Sequence, residues 1–217
     1  MRIFLAGATG VIGRRLALLL RDARHEVTGT TRDPSKTTRL QALGITPVVV
    51  DVFDADAVAR AVAGARPQVV IHQLTDLPNA PGTPGYAAGQ EANRRLRIEG
   101  TRNLVQAAAL VGVGWVIAQS IAFAYAPGAG VRQEDDPLDV NADSPRQLTV
   151  QGILALECEV LQTRGIAGDR ASLRLSLWVG NLVRRVTQAT IGSCGCGRSC
   201  RVAGARQRVR RLQHRRE

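Results

Sequence analysis

The sequence predicts an α/β fold built on a doubly wound parallel sheet. Three observations carry this prediction. Apolar, β-branched runs alternate with segments of helical period along residues 1–168. A turn with three glycines, Gly7-Ala-Thr-Gly10-Val-Ile-Gly13, directly follows the first apolar run. Large apolar residues become scarce after Ile191, so the folded unit is expected to end before the tail. The expected architecture is Rossmann-like, with a disordered or truncated basic C-terminal tail.

The first βαβ unit is predicted from the opening residues. Residues 2–6 form an apolar strand, and residues 14–21 repeat leucine and alanine at helical spacing. Residues 25–31 are rich in threonine and valine, which favours a second strand. Pro34 follows and is suited to the first turn of a helix that runs to Leu43.

Two further strands and one helix follow in the same alternation. Residues 46–50 form a β-branched strand that ends at Asp51. Asp54 is an N-cap for a helix that extends to Ala63, because its carboxylate accepts from free backbone N–H groups. Residues 68–72 form the fourth strand.

The remaining elements come after a loop. Residues 77–89 are rich in proline and glycine, which predicts a loop. The later elements are expected to be a helix at 90–110, a strand at 114–118, a helix at 144–163 and a strand at 172–179. Right-handed crossovers then place the ligand crevice at the carboxyl ends of the strands.

Composition divides the chain in two. The chain has 217 residues and a formal charge of +11. Residues 1–168 contain 17 lysines and arginines against 16 acidic residues, whereas residues 169–217 contain 12 arginines against two. The charge therefore belongs to the tail, and it gives little support for nucleic-acid binding by the folded part. No apolar run is long enough for a membrane span and no signal segment is found, so a cytoplasmic location is expected.

The glycine turn has the order of strand, turn and helix that a dinucleotide phosphate needs. Its first glycine permits the tight turn, its second lets backbone approach a pyrophosphate, and its third lets the helix pack on the strand. Free amides at the helix N-terminus then meet the anion. The candidate cofactor-binding residues of the turn are Gly7, Thr9, Gly10, Val11, Ile12, Gly13 and Arg14.

Several segments together resemble one known family. In order, they are GATGVIGRRL at 7–16, Thr31-Arg32, Asp51-Val52, Val70-Ile71-His72, Glu99 to Leu104 and Ala118-Gln119-Ser120. This series is similar to the NAD-dependent epimerase/dehydratase family, the extended or atypical short-chain dehydrogenases/reductases. The resemblance covers residues 1–168. It implies a nicotinamide dinucleotide cofactor and oxidoreductase or sugar-epimerase chemistry on a small carbonyl or hydroxyl substrate.

The end of the second strand indicates which dinucleotide fits. An acidic residue there accepts from the ribose 2′-hydroxyl, whereas arginine holds a 2′-phosphate. This chain has Arg32, with Lys36 one turn further on and Arg14 beside the glycine turn. NADP is therefore favoured over NAD. The alternative is that these are solvated surface cations.

The resemblance also implies further cofactor contacts. Asp51 and Val52 take the place of the family's adenine-contacting pair. Gln73 and Leu74 stand where relatives have small residues against the cofactor, so a bulkier site is expected there.

The family's catalytic pair is missing. The resemblance implies a Tyr-x-x-x-Lys pair on the helix after the fifth strand, placed by a trailing glutamate that matches Glu157. The tyrosine position then falls at Thr149 and the lysine position at Ile153. Ser120 matches the hydroxyl that binds the substrate oxygen, and Tyr125 is a substitute candidate for the acid. Catalysis by the family's route is not expected.

Three other features have weaker functional interpretations. His72 ends an apolar strand and is expected to be structural. Arg97 replaces an asparagine of the family. Glu134, Asp135 and Asp136 provide paired carboxylates for acid and base work or form a solvated loop, and the loop is favoured.

The tail contains a cysteine cluster and many arginines. Cys194, Cys196 and Cys200 are spaced so that thiolates can bind zinc or copper(I), but only His214 is near enough in sequence to complete a ligand set. Arginines there can bind phosphates, although interleaved aromatic residues are missing. Neither metal nor nucleic acid is the expected ligand.

A change of reading frame near Gly168 is our hypothesis for the change of composition. Codons chosen for residues 169–181 and read one nucleotide later can spell a strand similar to that of the family. The family's substrate-binding region lies beyond this point, so most of that region is expected to be missing.

Three functional hypotheses therefore remain open. The first is an NADP-binding oxidoreductase of the epimerase/dehydratase type with weak or lost activity. The second is a non-catalytic dinucleotide-binding or sensor module. The third is nucleic-acid or metal binding by the tail. The resemblance also implies a homodimer through the helices at 90–110 and 144–163.

Overall fold

The predicted fold class is confirmed. The computed structural model describes residues 1–77, 80, 82–133, 136–166 and 170–175. Six strands form one sheet in the order β3-β2-β1-β4-β5-β6, and every neighbouring pair is parallel. The strand order reverses between β1 and β4, which places a crevice at their carboxyl ends.

The strands and helices occur close to their predicted positions. The strands are β1 (Arg2–Ala6), β2 (Glu26–Thr31), β3 (Thr46–Val49), β4 (Val69–His72), β5 (Trp115–Ile121) and β6 (Arg170–Leu175). The helices are α1 (Val11–Asp22), α2 (Thr37–Ala42), α3 (Ala55–Ala65), α4 (Tyr86–Arg95), α5 (Thr101–Leu110) and α6 (Arg146–Gln162). Short 3₁₀ turns occur at Pro34–Lys36 and Ala122–Ala124.

The long helix predicted at 90–110 differs from the observed one in two ways. It begins one turn earlier, at Tyr86, because Gly85 has a φ of +82° and turns the loop into the helix. It also contains a wide π-helical turn, Leu96–Gly100, between α4 and α5. Gly100 ends that turn, and a side chain there would approach Val52 to 2.9 Å. The small residue therefore lets the helix pass over the end of β3.

The core lies on both faces of the sheet. Ile3 and Leu5 of β1 pack in one cluster with α1, whereas Phe4 and Ala6 pack in the other with α5 and α6. This alternation is the two-residue period of a strand buried on both sides. A smaller cluster packs α6 against the segment after β5.

Two predictions fall partly outside the described residues. The last predicted strand, 172–179, is found as Arg170–Leu175, and its remainder and the rest of the tail are not described.

Within the described part of the chain, no helix combines the length and apolar character that a bilayer crossing requires.

Candidate functional site

A cleft of about 300 Å³ lies at the carboxyl ends of β1, β2, β3 and β4. It lies at the switch in strand order, where doubly wound sheets bind their ligands. Its lining residues are Phe4, Ala6, Gly7, Thr9, Gly10, Thr30, Thr31, Arg32, Asp33, Lys36, Val50, Val52, Val58, Gln73, Leu74, Thr75, Leu96 and Leu104.

Backbone contacts hold the glycine turn in place. Gly7 has a φ of +89°, and a side chain on it would lie 2.7 Å from the Gln73 carbonyl oxygen. Its N–H donates to Thr30 Oγ1 at 3.0 Å, and Gly10 N–H donates to the Gly7 carbonyl at 3.1 Å. A side chain on Gly13 would collide with that same carbonyl. Only glycine fits at Gly7 and Gly13, so the turn's shape is fixed by chain geometry.

The N-terminus of α1 is available for an anion. Gly10 caps it without a side-chain hydrogen bond, and its first turn has no acidic residue. Val11 is 80% exposed, Ile12 is half-buried, and Arg14 has a buried Nε with no partner. Free amides and an unsatisfied guanidinium nitrogen fit a phosphate group at this position.

The end of β2 supplies the cations predicted from the sequence. Arg32 is exposed and lines the cleft, and no ion pair joins it to another described residue. Lys36 lies 3.5 Å from Asp33 Oδ2, so part of its charge is balanced. The Asp33 carboxylate also accepts from Ser35 N at 3.0 Å and Ser35 Oγ at 2.6 Å. These hydrogen bonds, together with Lys36, lower the Asp33 pKa, so the carboxylate is ionised at neutral pH. Both of its oxygens already have partners within the protein.

The predicted adenine pair divides between the cleft and its rim. Val52 is buried and lines the cleft, and its carbonyl accepts from Asn103 Nδ2 at 2.9 Å. Asp51 is exposed, and its carboxylate accepts from Phe53 N at 3.0 Å. Phe53 in turn lies beneath the Arg95 guanidinium, 4.3 Å from ring centroid to Cζ. The contact between Asp51 and adenine stays a prediction.

Gln73 and Leu74 both line the cleft, and their contact with a cofactor stays a prediction. Gln73 is buried and its Nε2 has no partner. Leu74 N–H donates to His72 Nδ1 at 3.2 Å. His72 Nε2 therefore carries the hydrogen and donates to Thr101 Oγ1 at 2.9 Å. A fully engaged, buried imidazole is structural, which agrees with the sequence-based interpretation of His72.

Burial keeps His72 neutral. Desolvation, with a smaller contribution from the Arg97 charge, lowers the pKa of His72 to about 3. The ring therefore stays uncharged throughout the neutral range.

Ser120 and Tyr125 lie apart from the cleft. Ser120 is buried, and its Oγ donates to Glu157 Oε1 at 2.7 Å. Tyr125 is half-buried, and its carbonyl accepts from Arg146 at 2.8 Å. Neither residue is among those that line the cleft in the described part of the chain. Their catalytic roles stay predictions, and the Ser120 proton is already committed to Glu157.

The two positions where the resemblance places the Tyr-x-x-x-Lys pair hold residues with different side-chain chemistry. Ile153 is fully buried and packs with Ala124, Leu138 and Val150. Thr149 Oγ1 donates to Gln90 Oε1 of α4 at 3.4 Å. Helix α6 therefore contributes no phenol and no ammonium here.

Polar side chains that the sequence did not single out as a group lie on the opposite helix. Gln90, Asn93 and Arg97 are buried, and Gln90 Nε2 donates to the Tyr86 hydroxyl at 3.0 Å. Asn93 Oδ1 accepts from Asp76 N at 3.0 Å. Their spacing of three to four residues places them along one side of α4 and its π turn. This spacing is visible in the sequence and could have identified the group. Tyr86 was missed because the helix was predicted to begin at residue 90.

The other candidate sites lie largely outside the described residues. Glu134, Asp135 and the cysteine cluster are not described, whereas Asp136 accepts from Gln133 N at 2.9 Å. Among the described residues, no group of three His, Cys, Asp or Glu side chains can hold a metal ion.

Comparison with known proteins decides the family. A protein family described as "NAD(P)H-binding" matches residues 7–145, which contain the glycine turn and most of the cleft. The chain belongs to the NAD(P)H-binding family. Solved structures that include a putative epimerase from Burkholderia cenocepacia J2315, 29% identical with a TM-score of 0.55 over 73% of this chain and 48% of that one, share its fold, as the resemblance drawn from the sequence implied.

The chain is also similar to a 3-diazoavenalumate denitrifying reductase from Streptomyces sp, to which it is 46% identical over 159 residues. The match covers 72% of this chain and 50% of that protein. The chain thus spans about half the length of this relative.

Two solved structures show the same fold at lower identity. A short-chain dehydrogenase/reductase superfamily protein from Agrobacterium tumefaciens with bound NAD is 24% identical, with a TM-score of 0.61 over 88% of this chain and 58% of that one. Bordetella bronchiseptica WbmG in complex with NAD and UDP is 22% identical, with a TM-score of 0.61 over 90% and 62%.

Proposed function

We propose that this NAD(P)H-binding protein is an NADPH-dependent reductase of a small organic substrate. The observation that carries the proposal is the cleft itself. Gly7, Thr9 and Gly10 of the glycine turn line it directly before α1, and Arg32 lines it at the end of β2. The sequence identity to a protein named as a reductase supports reduction as the reaction.

The residues present fit a dinucleotide with a 2′-phosphate. Gly7 lets the turn pass close to the Gln73 backbone, and the Arg14 Nε is a buried donor without a partner. Asp33 is the acidic residue among those that line the cleft, but it caps the Pro34–Lys36 turn and pairs with Lys36. Arg32 therefore remains the free charged group at this end, and it suits phosphate better than a hydroxyl.

The substituted pair on α6 limits which substrates suit the site. Bound NADPH supplies a hydride. Hydride addition to a carbonyl leaves an alkoxide that needs a nearby acid, and neither Thr149 nor Ile153 provides one. Hydride transfer to a carbon that bears a diazonium group forms a carbon–hydrogen bond, breaks the carbon–nitrogen bond and releases N₂, so no alkoxide is formed. A diazo-substituted carboxylate, as in the relative's name, is therefore the substrate class that we propose.

Turnover tests this proposal. The protein is incubated with NADPH and diazotised aminobenzoate, and both the loss of NADPH absorbance and N₂ release are followed. We expect NADPH oxidation and N₂ release in equal amounts, with no oxidation when a simple ketone replaces the diazo compound.

The alternative hypotheses give different results. NADPH binding without oxidation by either compound would indicate a non-catalytic dinucleotide module. Failure to bind NADPH or NADH would contradict both hypotheses.

A further inference from the structure

Arg97 is a buried cation within the π turn that joins α4 to α5. Its side chain and backbone together are 3% exposed. The Nε and NH1 atoms are buried without any hydrogen-bond partner. No carboxylate among the described residues forms an ion pair with it. Burial alone lowers the Arg97 pKa to about 10, so the guanidinium still carries its charge at neutral pH.

A lone buried charge is unfavourable unless something compensates it. Unsatisfied buried donors and unpaired buried charges are rare in folded proteins for this reason. The neighbouring groups do not supply compensation. His72 is neutral, and both of its ring nitrogens are already engaged with Leu74 and Thr101.

The contacts of Arg97 place it beside the altered catalytic positions of α6. Its aliphatic stem packs over Gly152, where an added side chain would lie 3.2 Å from Arg97 Cδ. Gly152 directly precedes Ile153, the position of the family's lysine. The π turn and the glycine thus bring a cation close to the position on α6 where the resemblance places a lysine.

We propose that Arg97 binds an oxyanion, a carboxylate or a phosphate, between α4 and α6. The proposal rests on the proposed function, because the anion belongs either to the reductase substrate or to the cofactor. The planar donor fork of a guanidinium binds oxyanions, and two of the Arg97 nitrogens, Nε and Nη1, have no partner here. A substrate carboxylate fits the substrate class inferred above.

Binding measurements on the full chain test this site without requiring turnover. Benzoate is titrated into NADPH-saturated protein, benzamide serves as the uncharged analogue, and NADPH affinity is measured separately. Arg97→Met removes the charge, Arg97→Lys keeps it without the fork, and Arg102→Met is the matched control. Arg102 is exposed and pairs with Glu159 at 3.4 Å.

We expect benzoate to bind at least about tenfold more tightly than benzamide. Arg97→Met should abolish that preference, Arg97→Lys should weaken it partly, and Arg102→Met should leave it unchanged. A tenfold loss of NADPH affinity in Arg97→Met, with benzoate binding retained, would assign the oxyanion to the cofactor instead.

Two results would overturn the site. One is unchanged binding of both benzoate and NADPH by Arg97→Met and Arg97→Lys. The other is no benzoate binding by the wild type together with unchanged NADPH affinity in the variants. Lost NADPH binding by the wild type itself would contradict the proposed function, which is a separate outcome.

Discussion

Gly7 sets the shape of the cleft floor through a single backbone angle. Its φ of +89° and the 2.7 Å approach to the Gln73 carbonyl leave no room for a side chain. We predict that Gly7→Ala lowers the free energy of unfolding by about 3 kcal/mol, since strain and overlap add. Denaturant unfolding measures this change.

Gly64 offers a matched control for that substitution. It lies in α3, and nothing is within 4 Å of an added side chain. Gly64→Ala should stabilise the protein by about 0.5 to 1 kcal/mol, because alanine favours the helix. If Gly7→Ala is as stable as Gly64→Ala, the described geometry of the turn is wrong.

His72 makes stability depend on pH. Its pKa is about 3 in the folded protein, against an ordinary value of 6.5. The unfolded chain therefore takes up a proton that the folded chain refuses, and this contribution to stability is lost as pH falls below about 6.5. We predict a loss of about 2 kcal/mol between pH 7 and pH 5 from this residue alone.

Unfolding curves at pH 7 and pH 5 measure that effect. His72→Gln should lose this part of the pH dependence, whereas His25→Gln should retain it. An equal pH dependence in wild type and His72→Gln would show that the buried ring is not the cause.

At the scale of elements, α6 has become a packing helix at its catalytic positions. Ile153 is fully buried in an apolar cluster, whereas the adjacent Leu154 is 40% exposed. Restoring the family's lysine by Ile153→Lys would bury an ammonium group without a counter-ion. We predict a loss of about 3 kcal/mol or more in unfolding free energy.

Leu154→Lys is the control for this change, because its side chain can reach solvent. It should change stability by less than about 1 kcal/mol. A stable Ile153→Lys protein, or one with new ketone reductase activity, would contradict the packing role given to this position.

The α4 helix shows where prediction from sequence reached its limit. Periodicity located the helix, but its start depended on the left-handed backbone of Gly85, which no apolar pattern reveals. The π turn at Leu96–Gly100 shifts the face of the helix by one residue. The burial of Arg97 therefore followed from contact with α6, not from the pattern of its own helix.

At the scale of the whole molecule, the sheet was predictable because its central strands, β1 and β4, are buried on both faces. Continuous apolar runs separated by helical segments permit few topologies. The glycine turn and Arg32 were also predictable, since their positions depend on strand ends. The environments of Ser120 and Thr149 were not, because they depend on how two distant segments pack.

We propose that the cleft binds NADPH through the Gly7 turn and Arg32. Titration of the wild type, Arg32→Ser and the control Arg39→Ser with NADPH and with NADH tests it directly. Arg39 is an exposed cation of α2 that does not line the cleft. We predict that the wild type binds NADPH at least about tenfold more tightly than NADH, that Arg32→Ser loses this preference and that Arg39→Ser keeps it. Equal or tighter binding of NADH by the wild type, or binding of neither nucleotide, would contradict the claim.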